Sequence, residues 1–398
     1  MNIIYFAIAL LFLAERIWKY AMVEKFFQQL TPPNKAKDES ISILQPILSG
    51  DPTLWTCLDR NLQMKTSYQL EFIWLLDESD RIGLEGCQKL ITAYPNCRIR
   101  LISLPPPPDG ISPKTFKLIC GLQSATGNII VVLDDDTILP DNGLEKCIPY
   151  LDKPQIGLAF GLPYYINFSN FWSSLVSCFV NGNSLLTYIP YTFLIQPFTI
   201  NGMFYAMKRD VLERVGGFSG LETAICDDYA IAKRFRSQGY QLAQTPLRHG
   251  INTQVDTASH YFNIINRWFI FPQASIMRSA SLGELSLFYS LVLFPNFFPL
   301  IIVVFLFLFP GGYAVAIALA YFSFNAYMIF QFNRKYLNDA TPPSKIIWIL
   351  LSQILLPFQI LGSLLSPRQI NWRGHIMEID SKGGFKFVRR RCESVGEE

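Results

Sequence analysis

The chain has 398 residues, of which 50% are hydrophobic and only 16% are charged, against roughly 25% charged residues in an ordinary soluble protein. This low charge argues against a wholly soluble protein and predicts contact with a membrane. The formal net charge of +3 gives no reason to expect nucleic acid as a partner, because the basic residues are scattered, apart from a short run near the end.

Residues 1–25 are predicted to form an N-terminal membrane anchor. The apolar run 3–13 has no charged residue before it and no A-x-A cleavage site after it, so it does not match a removable signal peptide. Arg16, Lys19 and Lys25 follow the run, and positive charge here predicts that the next domain stays on the cytoplasmic face. Because the run is shorter than the ~20 residues that span a bilayer, an interfacial helix is the alternative.

Residues 37–283 are predicted to form the catalytic domain. Short apolar runs such as SISILQPIL, YQLEFIWLLDES, CRIRLISL, NIIVVLD and QIGLAFG alternate there with polar stretches of helical length. Strands that are apolar on both faces and separated by helices are typical of a mostly parallel sheet with helices on both sides. The fold class predicted is therefore α/β.

Acidic residues end two of the predicted strands. Asp77 closes the run EFIWLL, and Asp134, Asp135 and Asp136 close the run NIIVVL. Ligands bind beyond the carboxyl ends of strands in such sheets, and adjacent carboxylates repel one another unless a cation neutralises them. A hard divalent cation, Mg²⁺ or Mn²⁺, suits carboxylate and phosphate oxygens together. The alternative is a turn or helix-cap cluster ahead of Pro140.

Two further pairs of residues are candidates for chemistry. Asp227 and Asp228 lie at a predicted helix start, where they could simply complement the helix dipole or where one of them could act as a general base. Arg267 and Trp268 place a fixed cation beside a large ring. This pair could hold a diphosphate and shape an acceptor site, or it could belong to an aromatic belt at the membrane interface.

The C-terminal part contains three apolar stretches. Residues 285–309 and 312–332 are each long enough to cross ~30 Å of hydrocarbon and are joined by a short Pro-Gly-Gly connection, so they predict a transmembrane hairpin. Polar residues and a proline interrupt residues 346–365, which predicts a helix in the interface or a re-entrant segment. The membrane segments thus occupy residues 284–366, and the basic tail 367–398 stays on the cytoplasmic side with the catalytic domain.

Together these motifs resemble the family 2 nucleotide-sugar glycosyltransferases, and most closely the ceramide glucosyltransferase branch, over nearly the whole chain. The similar stretches follow in the order ISILQPILSGDP, WLLDESD, GISPKTFKL, LDDDTILPD, GLAFGLPYY, NGMFYAMKRDVLERVGGF, CDDYAIAK and INWRGHIMEI. The D-x-D pair alone occurs by chance in many proteins, whereas the ordered set is specific. The resemblance implies a GT-A-like fold and an inverting transfer of a hexose from a UDP-sugar, UDP-glucose for this branch, to the hydroxyl of a membrane lipid such as ceramide.

The resemblance also implies roles for single residues in the reaction. Asp228 matches the general base that takes the proton of the acceptor hydroxyl. Asp136 matches the metal ligand. Asp134 is the other member of the D-x-D pair, and the resemblance implies that it is a second metal ligand and also contacts the donor. The metal implied is Mg²⁺ or Mn²⁺.

The remaining roles concern substrate binding. Lys114 and Arg267 match cations that hold the leaving diphosphate, Asp77 matches a residue that recognises the nucleotide base or ribose, and Trp268 lies on the acceptor side. Sugar donor, lipid acceptor and membrane are therefore the expected partners.

One position departs from the family pattern, which places Gln or Arg three residues before the Arg-Trp pair. Here Ile264 stands at that position. Either Arg267 acts alone, or Asn263 or Asn266 substitutes, or the acceptor differs from ceramide. A polysaccharide or polyprenyl-phosphate glycosyltransferase and a catalytically inactive membrane scaffold with this fold are the alternative functions.

Overall fold

The computed structural model describes residues 2–29, 39–365, 369–379 and 384–391. The helices are α1 (Asn2–Gln28), α2 (Leu54–Leu62), α3 (Arg81–Ala93), α4 (Pro113–Ser124), α5 (Phe171–Tyr188), α6 (Arg209–Arg214), α7 (Asp227–Ser237), α8 (Ala258–Ala274), α9 (Ile276–Ser279), α10 (Leu282–Phe288), α11 (Phe298–Leu308), α12 (Gly312–Tyr336) and α13 (Ile346–Leu365). The strands are β1 (Ser40–Pro46), β2 (Gln69–Asp77), β3 (Arg98–Leu104), β4 (Ile129–Leu133), β5 (Thr137–Ile138), β6 (Ile156–Tyr165), β7 (Phe204–Lys208), β8 (Gln241–Ile251), β9 (Gln369–Trp372), β10 (His375–Ile379) and β11 (Phe385–Arg389).

The main sheet has eight strands in the order β3-β2-β1-β4-β7-β6-β8-β5. Strands β3, β2, β1 and β4 run parallel, β7 is antiparallel to both of its neighbours, and β6 and β8 are again parallel. Because the parallel strands follow one direction, their carboxyl ends meet at one edge of the sheet. The mostly parallel sheet predicted from the apolar runs is confirmed.

Helices cover both faces of this sheet. Ile129, Val131 and Leu133 of β4 point into one hydrophobic core, whereas Ile130 and Val132 point into the other. This alternation follows from the two-residue period of a strand. Since both faces are buried, the strand reads as a continuous apolar run, and that run is the signal from which the sequence predicted it.

Three helices are long and apolar enough to cross a membrane: Leu282–Leu308, Gly312–Tyr336 and Pro343–Leu365. The first combines α10 and α11 with a π-helical turn and a 3-10 turn between them, and the first two form the predicted hairpin. Large apolar side chains at its tip, such as Phe307 and Tyr313, are 80% and 84% exposed. The protein is therefore a membrane protein, as the composition predicted.

Helix α1 packs along this hairpin. Phe12 stacks on Phe298 of α11, and Tyr20 stacks on Phe332 of α12. The buried Arg16 and Lys19 donate to the carbonyl oxygens of Pro295 and Leu291, at 3.2 and 2.6 Å. These carbonyl groups lie in the irregular part of the first membrane helix, where helical hydrogen bonding is interrupted and partners are needed. That α1 itself spans the membrane as an anchor stays a prediction.

Helix α13 lies along the catalytic domain throughout its length. Before it, the Cys178 thiol of α5 donates to the carbonyl oxygen of Lys345, at 3.6 Å. Midway, the Gln359 side chain of α13 donates to the Tyr261 hydroxyl of α8, and beyond its end Ile370 packs in a core cluster of the catalytic domain. Length and composition permit α13 to cross a membrane. However, the residues before it and the residues after it both contact the catalytic domain, which favours the prediction that α13 lies in the interface.

The tail forms a small antiparallel sheet in the order β11-β10-β9, which docks on the catalytic domain. Arg390 contacts Asp109 at 2.6 Å, and Arg391 donates to the carbonyl oxygen of Ser49 at 2.6 Å. The sequence predicted only a basic tail at this position. Through these contacts, the described residues of the tail between 369 and 391 form part of the wall of the candidate active site.

Candidate active site

A cavity of about 1130 Å³ opens where the parallel strands end. The loop after β1, Asp77 at the end of β2 and the three acids after β4 line one end of it. Every residue for which the sequence predicted a role lines this same cavity: Asp77, Lys114, Asp134, Asp136, Asp228, Arg267 and Trp268. The sheet topology therefore brings together residues that are far apart along the chain.

Lys114 is the centre of an ion-pair network. Ser112 caps α4 and Pro113 begins it, so Lys114 lies in the first turn and faces the cavity. Its ammonium group is 2.7 Å from Asp134 Oδ1 and 3.2 Å from Asp227 Oδ2. Burial raises the pKa of Asp134 to about 6, although the Lys114 charge opposes that shift. The network links β4 to α7 and positions both acids.

Asp136 lies beside Asp134 at the same strand end. The Thr253 hydroxyl donates to Asp136 Oδ2 at 2.8 Å, and burial raises the pKa of the Asp136 carboxyl. Two buried carboxylates with raised pKa values gain stability in the ionised form when a cation approaches them.

These two acids fit part of a divalent metal site. Among the residues that the structure describes, no group of three or more His, Cys, Asp or Glu side chains is arranged to hold a metal ion. A pair of hard carboxylate oxygens nevertheless matches how Mg²⁺ is held by one or two carboxylates, with substrate phosphates supplying further ligands. The donor set of Asp134 and Asp136 is therefore compatible with the predicted Mg²⁺ or Mn²⁺.

Asp228 occupies the first turn of α7 and faces the cavity. Its Oδ1 accepts hydrogen bonds from the Tyr229 backbone amide at 2.8 Å and from the Cys226 thiol at 2.7 Å. Burial, followed by the adjacent Asp227 charge, raises the pKa of Asp228 to about 6. A Cβ atom on Gly202 would lie only 3.2 Å from Asp228 Cβ, so glycine at this position lets the turn before β7 approach the acid closely. The arrangement is compatible with a general base, which stays a prediction.

Asp77 has a partner that sequence reasoning missed. Lys117 is buried, and its ammonium group lies 3.0 Å from Asp77 Oδ2 and 3.0 Å from the carbonyl oxygen of Ile47. Lys114 and Lys117 are three residues apart on α4, and this spacing puts both on one helix face. This three-residue spacing is the sequence signal that would have predicted a role for Lys117.

Arg267 and Trp268 on α8 both line the cavity, but they differ in the contacts that they form. Trp268 stacks on Phe179 at 5.7 Å and meets the edge of Tyr165 at 6.1 Å. Arg267 forms no hydrogen bond or ion pair with any residue that the structure describes, and burial lowers its pKa. Arg267 is partly exposed to the cavity, so its guanidinium is available to bind an anion there.

The departure from the family pattern is accommodated by packing. Ile264 is 9% exposed and belongs to an apolar cluster with Tyr165 and Tyr261. Asn263, beside it, lines the cavity, and so does His260 one helical turn earlier. Ile264 thus packs in this cluster and also lines the cavity, with polar groups next to it at the cavity wall.

The far end of the cavity is apolar and belongs to the membrane helices. Phe288, Val292 and Leu293 of the first membrane helix and Leu356, Ile360 and Leu364 of α13 line it. One continuous space therefore joins the acid cluster to apolar side chains of the candidate membrane helices. Neither end of this space could have been recognised as part of one cavity from the sequence.

The largest omission in the sequence analysis is Arg373 from the tail. Its guanidinium forms two hydrogen bonds with Asp135, at 2.6 and 2.7 Å, and lies 3.8 Å from Asp136. In the sequence, the stretch INWRGHIMEI indicates only a similar ending to the family. No local pattern signals that an arginine after the last apolar stretch returns to the acids after β4.

Comparison with known proteins agrees with the motifs. The family model described as Glycosyl transferase family 21 matches residues 1–385. Ceramide glucosyltransferase from Komagataella phaffii is 24% identical over 137 residues, which cover 34% of this chain and 27% of that enzyme. The chain thus matches well under two thirds of the length of this curated relative. The resemblance drawn from the motifs is confirmed.

Two solved glycosyltransferase structures are similar at low identity. The mannosyltransferase PcManGT from Pyrobaculum calidifontis, solved in complex with GDP-Man and Mn²⁺, is 16% identical with a TM-score of 0.49 and covers 89% of this chain and 98% of its own. GalNAc-T7, solved with UDP, GalNAc and Mn²⁺, is 14% identical with a TM-score of 0.45 and covers 65% of this chain and 55% of its own.

Proposed function

Since the chain belongs to glycosyl transferase family 21, we propose that it transfers a hexose, glucose in the first instance, from a UDP-sugar to the hydroxyl group of a ceramide-like membrane lipid, with inversion at the anomeric carbon. One observation carries the proposal. The cavity joins charged residues at the strand ends to apolar side chains of the membrane helices. A charged donor and an apolar acceptor fit the two ends of such a space.

Asp228 is the general base in this proposal. The acceptor hydroxyl oxygen forms a bond to the anomeric carbon, the bond from that carbon to the diphosphate oxygen breaks, and the hydroxyl proton passes to the Asp228 carboxylate. A pKa of about 6 keeps this carboxyl ionised at neutral pH while leaving it basic enough to accept the proton. The Cys226 thiol and the Tyr229 amide hold Oδ1, so the free oxygen Oδ2 is the one that takes the proton.

The leaving diphosphate is stabilised by cations. Lys114 and Arg267 line the cavity on the side of Asp134 and can bind phosphate oxygens as negative charge develops there. Asp134 and Asp136 would hold Mg²⁺ or Mn²⁺, which supplies further neutralisation of the diphosphate when bound.

The two remaining residues bind the substrates. Asp77, held by Lys117, accepts hydrogen bonds from the nucleotide base or ribose. Trp268, fixed by Phe179 and Tyr165, forms a rigid apolar wall beside the acceptor hydroxyl. The positions of Asp77 and Trp268 in the wall of the cavity support both assignments.

We also propose that the catalytic domain faces the cytoplasm. Arg334, Lys335 and Lys345 lie at the ends of membrane helices that adjoin the catalytic domain, and basic residues collect on the cytoplasmic side of membrane spans. Labelling of single cysteines, introduced at Lys335 and at the hairpin tip, with an impermeant maleimide in intact cells tests this orientation. Labelling at Lys335 and not at the tip would contradict it.

The decisive experiment is a transfer assay with detergent-purified protein. Radiolabelled UDP-glucose and other UDP-sugars are incubated with ceramide, diacylglycerol, polyprenyl phosphate or no added lipid, with Mn²⁺, Mg²⁺ or chelator. The expected product is a labelled neutral glycolipid whose formation stops with chelator and with Asp228→Asn. Label on polyprenyl phosphate, or in polymer, would replace the lipid proposal by one of the alternative activities. Folded protein that binds no UDP-sugar would support the inactive scaffold.

A further inference from the structure

Arg373 lies in an unusual turn at the tip of the β9-β10 hairpin. Trp372 pairs with His375, which leaves Arg373 and Gly374 as a two-residue loop, and their φ values are 49° and 92°. Such turns need positive φ at both positions and favour Asn, Asp or Gly at the first. An arginine there is less favourable than glycine would be, and residues kept in such conformations cluster at functional sites.

The Arg373 side chain reaches the acids after β4 and is held there firmly. Both Asp135 oxygens accept from it, in the bidentate geometry that orients a guanidinium, and the Leu48 amide completes the shell of Asp135 at 2.9 Å. Asp135 is only 4% exposed in its side chain, whereas Arg373 remains 31% exposed and lines the cavity. Asp135 is therefore enclosed as a support, and Arg373 is still accessible to a ligand.

A second guanidinium lies nearby without a partner. Arg267 and Arg373 line the same cavity, and the Arg373 charge, in addition to burial, lowers the pKa of Arg267. Arg267 makes no ion pair within the described parts of the chain, as noted above. Two guanidinium groups therefore line one cavity, and both are partly exposed to it, which is the arrangement that binds the oxygens of a phosphate group.

The tail is anchored on two sides, so that Arg373 is placed by a rigid element. Arg391 donates to Ser49 in the loop after β1, and Arg390 donates to the carbonyl oxygen of Pro107 at 2.7 Å. On the other side Ile370 and Ile379 pack with Tyr229 of α7 in one cluster. The hairpin thus bridges the loop beside the donor end and the helix that carries Asp228.

We propose that the C-terminal hairpin completes the donor site and that Arg373, oriented by Asp135, binds the diphosphate of the nucleotide sugar together with Arg267. This inference rests on the proposed function and adds a donor-binding residue to it. Asp135 then differs in role from Asp134 and Asp136, since it orients Arg373 and is not a metal ligand.

The test measures UDP and uridine binding to the full-length protein in detergent with Mg²⁺, by titration calorimetry, together with thermal unfolding. Arg373→Met is expected to weaken UDP binding by about tenfold or more, on the scale of a lost bidentate charged contact, and to leave uridine binding unchanged. Arg373→Gly suits the turn better but, like Arg373→Met, removes the counter-ion of Asp135, and it is expected to weaken UDP binding equally. Arg389→Met, an exposed arginine on the same tail, is the matched control and should bind UDP as the unaltered protein does.

The double variant Arg373→Met with Asp135→Asn distinguishes two roles of Arg373: binding of the diphosphate and neutralisation of the Asp135 charge. A diphosphate-binding role predicts that the double variant binds UDP as weakly as Arg373→Met alone. Recovery of UDP affinity in the double variant would make Arg373 only the counter-ion of Asp135 and would overturn the inference. Unchanged UDP affinity in Arg373→Met would also overturn it. If the unaltered protein bound no UDP at all, the proposed function itself would fail.

Discussion

The two ends of the cavity are built in different ways. At the donor end, short contacts fix nearly every charged group, as in Lys114 with Asp134 and Asp227, and Lys117 with Asp77. At the acceptor end, the cavity is lined mainly by apolar side chains from separate helices. Charged donors need groups placed at fixed positions, whereas a lipid chain needs only shape and apolar surface. Substitutions at the two ends should therefore change different kinetic constants.

The largest effect is expected where the two ends meet, at Asp228. Asp228→Asn removes the base while keeping the size of the side chain, so kcat should fall by about 10²- to 10⁴-fold, the usual contribution of general base catalysis. UDP binding, measured by calorimetry, should stay within about twofold, since the base is not a donor ligand. Asp210→Asn, an exposed acid on α6, serves as the control. Full turnover by Asp228→Asn would move the base to another residue.

The donor end alone should respond to loss of a metal ligand. Asp136→Ala should weaken Mn²⁺-dependent UDP binding by at least the ~10- to 100-fold that is typical when even an outer partner of a metal ligand is lost. Binding of the lipid acceptor should not change. Calorimetry with and without Mn²⁺ gives the metal-dependent part of the affinity. If this part were the same in the variant, the metal would bind elsewhere.

The acceptor end should respond to a change in its shape. Val292→Trp fills the apolar part of the cavity, and overpacking of about 1–3 kcal/mol would raise the KM for lipid by roughly five- to hundredfold. The KM for the UDP-sugar should not change. Val304→Trp, on the exposed surface of α11, is a matched control of equal size change. An increase in the donor KM instead of the lipid KM would contradict the division of the cavity into two ends.

The smallest effect concerns the pH dependence. Asp228 must be ionised to act as a base, so kcat should be full above a pH of about 6 and should be lost as the pH falls through that value. The Cys226 thiol donates to the ionised carboxylate and lowers the pKa of Asp228. Cys226→Ala should therefore move the acidic limb upward by a few tenths of a pH unit, on the order of a weak hydrogen bond.

Cys226→Ser keeps a donor and is the control for that shift. Asp134 also has a pKa of about 6 and could produce a similar acidic limb. The Cys226 thiol donates to Asp228, so a shift of the limb in Cys226→Ala reports on the pKa of Asp228. An acidic limb that is identical in the alanine and serine variants would assign the titration to Asp134 or to another group.

Local patterns of the sequence were sufficient for the strands, the apolar spans and the ordered motifs. The run IIVVL predicts β4 because both faces of that strand are buried, and the acids after it mark its carboxyl end. Asp77, Asp134 and Asp136 line one cavity because parallel strands bring their carboxyl ends together. Lys114, Asp228, Arg267 and Trp268 reach the same cavity from helices, and the matching motifs predicted them.

Only the tertiary structure decided which charges face each other. Arg373 and Asp135 are 238 residues apart, and their contact depends on how the tail packs after the last apolar helix. The joining of donor and acceptor ends likewise depends on α13 lying along α5 and α8, which neither its length nor its composition specifies. Periodicity records whether a residue is buried, but pairing between distant segments arises from packing, and a single sequence carries no local trace of it.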